Sequence, residues 1–322
     1  MPGVVLHRLA LPPLPPLGRM LALVTGTAVV ARRGSWDVVQ SHERTLSQDV
    51  YRAGEGCHRA YLATRERASR GLYHRVVLTL ERSTFARTPS VVAISRMGAA
   101  EIADLYAVPP RRLSTIYNGV DLERFHPRNR ARHRGGARAE AGIPDGAWLL
   151  AFVGSGFERK GLATAIEALA AVDDTSTRLV VVGKGEPAAY VQAAGQLGLA
   201  GRIVWLGPRE DIERWYAAAD AVVLPTRYEP FGNVHLEALA SGVPVVTTTR
   251  AGGSELIEPG QNGSVVSPGD APGLARALDE VRSAAGETQR AHARRSAEPF
   301  TYVRQVSEFE LVWRKGKSAD LA

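Results

Sequence analysis

Between positions 148 and 248 the chain alternates short runs of Val, Ile, Leu and Ala with longer stretches of helical periodicity, and this alternation limits the fold more than any other feature. Strands that read as continuous apolar runs are buried on both faces, and strands joined through helices run parallel. Strands are expected over 148–153, 177–182, 203–206, 221–224 and 243–248, with helices over 162–171, 187–197, 211–219 and 233–240. Each strand ends in Gly, Pro or a polar turn, where a doubly wound sheet places its ligand crevice. The first half is sparser, with a helix over 17–32, strands over 37–40, 91–95 and 113–117, and helices over 57–70 and 97–106. A connector carrying Pro12, Pro13, Pro15 and Pro16 stands where a first strand, glycine turn and helix are expected, so the first sheet reads as incomplete and an amino-terminal βαβ segment as missing.

The chain has 322 residues, 45% of them hydrophobic, which is enough for two domains with their own cores. The boundaries expected are a first domain over 1–125, an Arg-rich linker over 126–142, a second domain over 143–298 and a terminal helical segment over 299–322 that crosses back to the first domain. Lys and Arg number 40 against 33 Asp and Glu, a net charge of +7 that favours acidic partners without saying which. Cys57 is the single cysteine, so neither an internal disulfide nor a thiolate metal cage is available. No apolar run reaches the roughly 20 residues of a membrane helix. The 20–31 stretch resembles a signal-peptide core in composition, but the prolines before it fit that role poorly and no clean cleavage site follows. Arg124, Arg128, Arg130, Arg132, Arg134 and Arg138, with His126 and His133, read either as a solvated linker or as a patch for phosphate or anionic lipid. No aromatic residue interleaves this run, which argues against nucleic acid as a partner.

Two stretches carry chemistry. Gly154-Ser155-Gly156-Phe157-Glu158-Arg159-Lys160-Gly161 lies between an expected strand and helix. Adjacent cations at a helix amino terminus oppose the macrodipole, so a sequence that accepts them there is expected to hold an anion such as a diphosphate, unless the turn is simply solvated. It is neither a P-loop nor a dinucleotide fingerprint. In the second stretch, Gly232 and Asn233 start a helix that Gly242 and Pro244 end, which puts Glu229 in the preceding turn and Glu237 one turn inside. Carboxylates so placed suit sugar and ribose hydroxyls, or else are ordinary helix-stabilising glutamates.

Tyr228-Glu229-Pro230-Phe231-Gly232-Asn233, Glu237 eight positions after Glu229, and Ala238-Leu239-Ala240-Ser241-Gly242-Val243-Pro244-Val245-Val246 resemble the E-x7-E signature of family 4 retaining glycosyltransferases. Ile116-Tyr117-Asn118-Gly119-Val120-Asp121, Val153-Gly154-Ser155, Val182-Gly183-Lys184-Gly185 and Ala219-Asp220 with Leu224-Pro225 agree with that family in order and spacing. Ser41-His42-Glu43-Arg44 and the 49–58 stretch look like the branch of that family acting on lipopolysaccharide core, the glucosyltransferase I type. The resemblance implies an α/β fold of the GT-B kind, two Rossmann-like doubly wound domains facing a central cleft, with the first incomplete here. It implies a cytoplasmic hexosyltransferase, peripheral on the inner face of the inner membrane, using a nucleotide diphosphate sugar such as UDP-glucose on a lipid-linked or phosphorylated saccharide.

The same resemblance assigns expected roles. Gly154, Ser155, Arg159 and Lys160 hold the diphosphate, with Arg159 and Lys160 neutralising the leaving group, and Gly207 and Arg209 border the base. Glu229, Phe231, Gly232 and Asn233 hold the hexose, and Glu237 the ribose. Glu55 and His58 are the active-site candidates of the first half, as groups that position the acceptor or stabilise charge. No metal and no cofactor are expected, since no D-x-D triplet occurs and the histidines are scattered. The Asn262-Gly263-Ser264 sequon reads as chance in such a protein. The competing readings are a truncated, catalytically weak nucleotide-sugar-binding protein, a nucleic-acid binder using the arginine run, and an epimerase or phosphorylase on the same fold.

Overall fold

A computed structural model of the chain describes residues 5–6, 8–9, 13–65 and 71–319. Pro12 and the 66–70 end of the helix expected over 57–70 lie outside these residues. The chain divides into two compact units, Met1–Ile116 with Ser307–Ala322, and Tyr117–Val306. The boundaries therefore fall at 116/117 and 306/307 rather than at 125, 142 and 298.

The first unit opens with helix α1 (Pro16–Arg33) and continues through β1 (Gln40–Ser41), β2 (Val50–Ala53), α2 (His58–Ala63), α3 (Leu72–Arg87), β3 (Ser90–Ala93), α4 (Arg96–Tyr106) and β4 (Leu113–Thr115). Its four strands are parallel and stand in chain order, β1-β2-β3-β4, with no reversal of strand order among the described residues. Strand β2 and helix α3 were not legible from the pattern. On α3 the buried face carries Glu81 and Thr84 beside Val77, Leu80 and Phe85, and those polar residues hide the helical stripe.

The second unit contains α5 (Asn129–Glu140), β5 (Leu149–Val153), α6 (Phe157–Lys160), α7 (Leu162–Ala171), β6 (Arg178–Val182), α8 (Ala188–Gln196), β7 (Ile203–Gly207), α9 (Ile212–Ala218), β8 (Ala221–Leu224), α10 (Asn233–Ala240), β9 (Val245–Thr248), β10 (Gly263–Val266), α11 (Ala271–Ser283) and α12 (Glu287–Ala297). Its six strands are all parallel and ordered β10-β9-β8-β5-β6-β7. This is the doubly wound order, and the direction of winding reverses between β5 and β8. Trp148, Leu150, Phe152, Leu179 and Val181 pack with Leu162, Ile166 and Leu169 of α7 and Leu274 and Leu278 of α11 into one core. Burying such side chains is worth roughly 1.5–3 kcal/mol each, which is why the strand runs need no alternation.

Helix α13 (Tyr302–Ala319) begins in the second unit and ends in the first. In the first unit Phe309 and Val312 of this helix pack with Val50, Val92 and Ile116, and Trp313 Nε1 donates to Gln40 Oε1 at 2.8 Å. Segment 126–142 is not a solvated linker, because residues Asn129–Glu140 form α5. Arg130, Arg134 and Arg138 recur every four residues on one stripe of that helix and all bond to Asp220. Arg138 is buried, with 1% of its side chain exposed.

Candidate active site

In an open parallel sheet the carboxyl ends of two neighbouring strands that wind in opposite directions leave a crevice between their loops. Here those strands are β5 and β8, followed by Gly154–Gly161 and by Pro225–Gly232 respectively. Gly154 (φ 153°) donates its N–H to Val182 O at 2.9 Å, and a Cβ added at Gly183 would fall 2.1 Å from Gly154 O. Only glycine permits that approach of two strand ends. Ser155 Oγ accepts from Lys184 N–H at 3.1 Å, which ties the loop after β5 to the turn after β6.

The two loops meet through charge. Arg159 Nη1 donates to Glu229 Oε2 at 2.7 Å, and Lys160 Nζ bonds the same oxygen. Lys160 is buried, Glu229 has 12% of its side chain exposed, and Arg159 also bonds Tyr228 O at 3.1 Å. Burial pushes the Glu229 carboxyl upward, but Lys160 and Arg159 outweigh it and hold the group below the usual carboxylate range. Both bonds fall on Oε2, so Oε1 is left to accept from a hydroxyl. The cations close the one-turn helix α6 and stand directly before the amino terminus of α7, which Gly161 (φ 78°) caps, so they lie where the sequence places them. Their countercharge there is Glu229. What remains is a triad of two cations and one anion, net positive and partly buried.

The loop from Glu229 to α10 is fixed from below. His235 is fully buried, its Nδ1 lies 2.8 Å from Gly232 O and its Nε2 2.9 Å from Thr247 Oγ1, which itself donates to Leu224 O at 3.0 Å. A carbonyl can only accept, so Nδ1 carries the proton. Burial lowers the His235 pKa to about 4, and the ring is neutral at pH 7. Gly253 N–H donates to Phe231 O at 2.8 Å, and a Cβ at Gly253 would meet the His235 ring at 2.5 Å. Asn233 Oδ1 accepts from Asn118 Nδ2 at 2.6 Å. The N–H groups of Phe231, Gly232 and Asn233 make no bond among the described residues and stand at the positive end of α10.

Glu237, one turn into α10, accepts from Tyr216 OH of α9 at 2.8 Å. Burial raises its pKa, against the pull of that hydroxyl and of Arg124 and Lys160. Gly207 (φ 66°) ends β7 and accepts from Gly183 N–H at 2.9 Å. Arg209 is held by Glu140 and lies 5.1 Å over the Trp215 ring, so its guanidinium is engaged toward α5 and α9.

The first-unit candidates sit in a different environment. Glu55 is exposed and accepts from Arg44 Nη1 at 2.6 Å. His58 stacks on His74, with Nε2 and Nδ1 2.9 Å apart, and burial together with the Arg44 charge lowers its pKa. Both line a cavity of about 430 Å³ whose other walls include Met20, Leu23, Val24 and Val77 with Glu43 and Arg44. Beneath lies Glu81, its side chain fully buried, which accepts from the backbone N–H of His58 (2.6 Å) and Arg59 (3.2 Å), from Arg44 Nε (3.0 Å) and from Tyr106 OH. Glu81 therefore sets the start of α2 and the place of His58.

Two family descriptions match the chain: Glycosyltransferase Family 4 over residues 2–124 and Glycosyl transferases group 1 over 148–283. The chain belongs to the family 4 and group 1 glycosyltransferases. It is 34% identical over 204 residues to D-inositol 3-phosphate glycosyltransferase 1 of Catenulispora acidiphila, covering 59% of this chain and 48% of that protein. With the lipopolysaccharide glucosyltransferase WaaG of Escherichia coli it shares 29% identity over 242 residues, covering 72% of this chain and 64% of WaaG. An uncharacterised glycosyltransferase of Methanocaldococcus jannaschii is 31% identical over 197 residues, covering 60% of this chain and 50% of the relative. The chain thus spans about half to two thirds of the length of these relatives. Among solved structures WaaG superposes with a TM-score of 0.79 at 26% identity, over 88% of this chain and 80% of that one. The Anabaena protein HepE in complex with UDP-glucose shares the fold, with a TM-score of 0.75 at 22% identity over 94% of this chain and 84% of that one.

Within this glycosyltransferase fold the structure brings Arg159, Lys160 and Glu229 into direct contact, with Gly154 and Ser155 in the same loop and Phe231, Gly232, Asn233 and Glu237 on the next segment. It adds residues that sequence reasoning gave no role: His235, Tyr216, Asn118 and Glu81. His235 lies inside the E-x7-E stretch, and its neighbours Gly232 and Gly253 were the available signal. Tyr216, Asn118 and Glu81 carry no local signal, because their partners are 21 or more positions away.

Proposed function

We propose that the chain transfers a hexose with retention of configuration from a nucleotide diphosphate sugar, UDP-glucose first among candidates, to a lipid-linked or phosphorylated saccharide of the lipopolysaccharide-core kind. The observation that carries the reading is the Arg159–Lys160–Glu229 triad at the carboxyl ends of β5 and β8, with Glu237 one helical turn into α10. A leaving diphosphate gains negative charge as the sugar bond breaks, and preformed cations in a partly buried site stabilise that charge more than water does. Arg159 and Lys160 supply it without a metal ion. Glu229 Oε1 and the N–H groups of Phe231, Gly232 and Asn233 would orient the hexose, Glu237 would take the ribose hydroxyls, and Gly207 with Arg209 would border the base. Glu55 and His58, on the wall of the first-unit cavity, would position the acceptor hydroxyl. Similarity to WaaG and to D-inositol 3-phosphate glycosyltransferases supports a saccharide or phosphorylated acceptor over a protein.

Calorimetric titration of UDP-glucose, with UDP release as the second readout, tests the reading on the parent chain and on Lys160→Ala and Glu237→Ala. Binding that both substitutions abolish is the expected result. Equal binding by the variants, or silence toward UDP-glucose, UDP-galactose, UDP-N-acetylglucosamine and GDP-mannose alike, would overturn it.

A further inference from the structure

Glu237 is a partly buried carboxylate with few partners of its own. An ionised carboxylate offers about four acceptor positions on its two oxygens. Among the described residues Glu237 fills one of them, at Oε2, with the hydroxyl of Tyr216 at 2.8 Å. The two cations whose charge reaches it are bonded elsewhere: Arg124 donates to Glu213 Oε2 at 3.0 Å and to Glu210 O at 2.6 Å, and Lys160 bonds Glu229. A carboxylate meant only to tie α9 to α10 would be better replaced by an uncharged group, since burial works against its charge and leaves Oε1 without a donor.

Tyr216, by contrast, is fixed. It is fully buried in the last turn of α9, and its ring meets Phe125 edge-on, with centroids 5.8 Å apart and planes at 71°. Arg124 covers the Phe125 ring at 5.2 Å. A ring enclosed in this way has little freedom to change rotamer, so its hydroxyl is a donor held in place. Phenylalanine would fill the same space, and packing therefore does not account for the hydroxyl. Its partner among the described residues is Glu237, and a buried phenol needs such a partner as much as the carboxylate needs a donor.

We propose that Tyr216 is a positioning residue that sets sugar specificity in the nucleotide: its hydroxyl holds Glu237 Oε2, Oε1 is thereby kept for the ribose hydroxyls, and the pair selects ribonucleotides over deoxyribonucleotides. The role of Tyr216 rests on the ribose reading of Glu237, and adds what orients that carboxylate and what the orientation selects. A site built to bond a hydroxyl rejects the ligand that lacks it, because a buried acceptor is then left unpaired. Without the phenol, Glu237 has no bonded donor among the described residues. The carboxylate is then free to turn or to take up a proton, and a protonated carboxyl is the weaker acceptor.

The test titrates UDP and 2′,3′-dideoxy-UDP, with GDP and its dideoxy counterpart as a second series, into the parent chain, Tyr216→Phe, Glu237→Ala and the double variant. The parent should prefer the ribonucleotide by roughly tenfold to a hundredfold, the range for hydrogen bonds to a charged group. Tyr216→Phe keeps the buried ring and should cut that ratio by about fivefold or more, whereas a general loosening of the pocket would weaken both nucleotides alike and leave the ratio intact. Added to Glu237→Ala, the same substitution should leave the ratio unchanged, because the two residues act as a unit. A ratio near one in the parent, or silence toward both series, would overturn the ribose reading of Glu237 and the role of Tyr216 with it. A full ratio in Tyr216→Phe, or a further fall when it is added to Glu237→Ala, would overturn the role of Tyr216 and leave the ribose reading standing.

Discussion

Each unit buries a glutamate, and the two are neutralised in different ways. Glu229 is met by Lys160 and Arg159, side chains on a loop that follows a neighbouring strand. Glu81 is met by two backbone N–H groups, one arginine and a tyrosine hydroxyl, all gathered around the start of α2. Mobile side chains can be drawn from one anion to another, whereas backbone donors at a helix start cannot move without unwinding it. Glu229 is thus suited to exchange partners with a ligand, and Glu81 to hold a frame.

The comparison breaks most visibly through the frame. Glu81→Gln and Arg138→Met each leave partners of a buried charge unsatisfied, and each should cost about 3–5 kcal/mol in urea-induced unfolding. A loss below about 1 kcal/mol at Glu81 would show that its backbone contacts are not formed in solution. Lys160→Ala should act on catalysis instead, lowering kcat/KM by roughly 10²–10³, about 2.7–4 kcal/mol of transition-state stabilisation. Equal losses in kcat/KM and in folding stability would erase the distinction between the two glutamates.

A third effect depends on pH. The folded pKa of His235 lies below its ordinary 6.5, at about 4, so the fold favours the neutral ring. Its contribution is complete above pH 6.5 and is lost as pH falls toward 4, by about 3 kcal/mol at the limit. Glu229 acts in the same direction, since a depressed carboxyl pKa stabilises above its ordinary value of 4.5 and ceases to do so as pH falls through the folded one. His235→Gln should therefore flatten the stability profile between pH 6.5 and 4, and an unchanged slope would show that another group carries it. The smallest effect is expected at Glu55, whose side chain is 62% exposed. Glu55→Ala should change stability by less than about 1 kcal/mol, so any larger loss of transfer activity would report on the acceptor rather than on folding.

The second unit was legible because its strands are buried on both faces and their runs are uninterrupted: β8 and α10 fall at the expected residues, and β5, β6, β7 and β9 within two positions. Strand β10 and helices α11 and α12 were not read, and neither were β2 and α3 of the first unit. In α3 the reason is Glu81, a charge on a core face whose compensation comes from 22 to 37 residues away. The arginine run misled for a related reason. Its four-residue spacing was visible, but Asp220 lies more than 80 positions on, and without it a stripe of cations looks like a solvated face.

Sequence alone determined the elements and motifs whose cause is local: apolar strands, the glycine turns after β5 and β6, the start of α10 at Gly232, and the glutamates spaced to flank it. Only the tertiary structure decided which charge meets which. It placed Arg159 and Lys160 at the end of a one-turn helix and on Glu229, turned Arg209 toward Glu140, and brought Arg130, Arg134 and Arg138 onto Asp220. The physical reason is range. Backbone conformation answers to neighbours within a turn or two, while the free energy of a buried charge depends on groups that the chain brings together only after the sheet has closed.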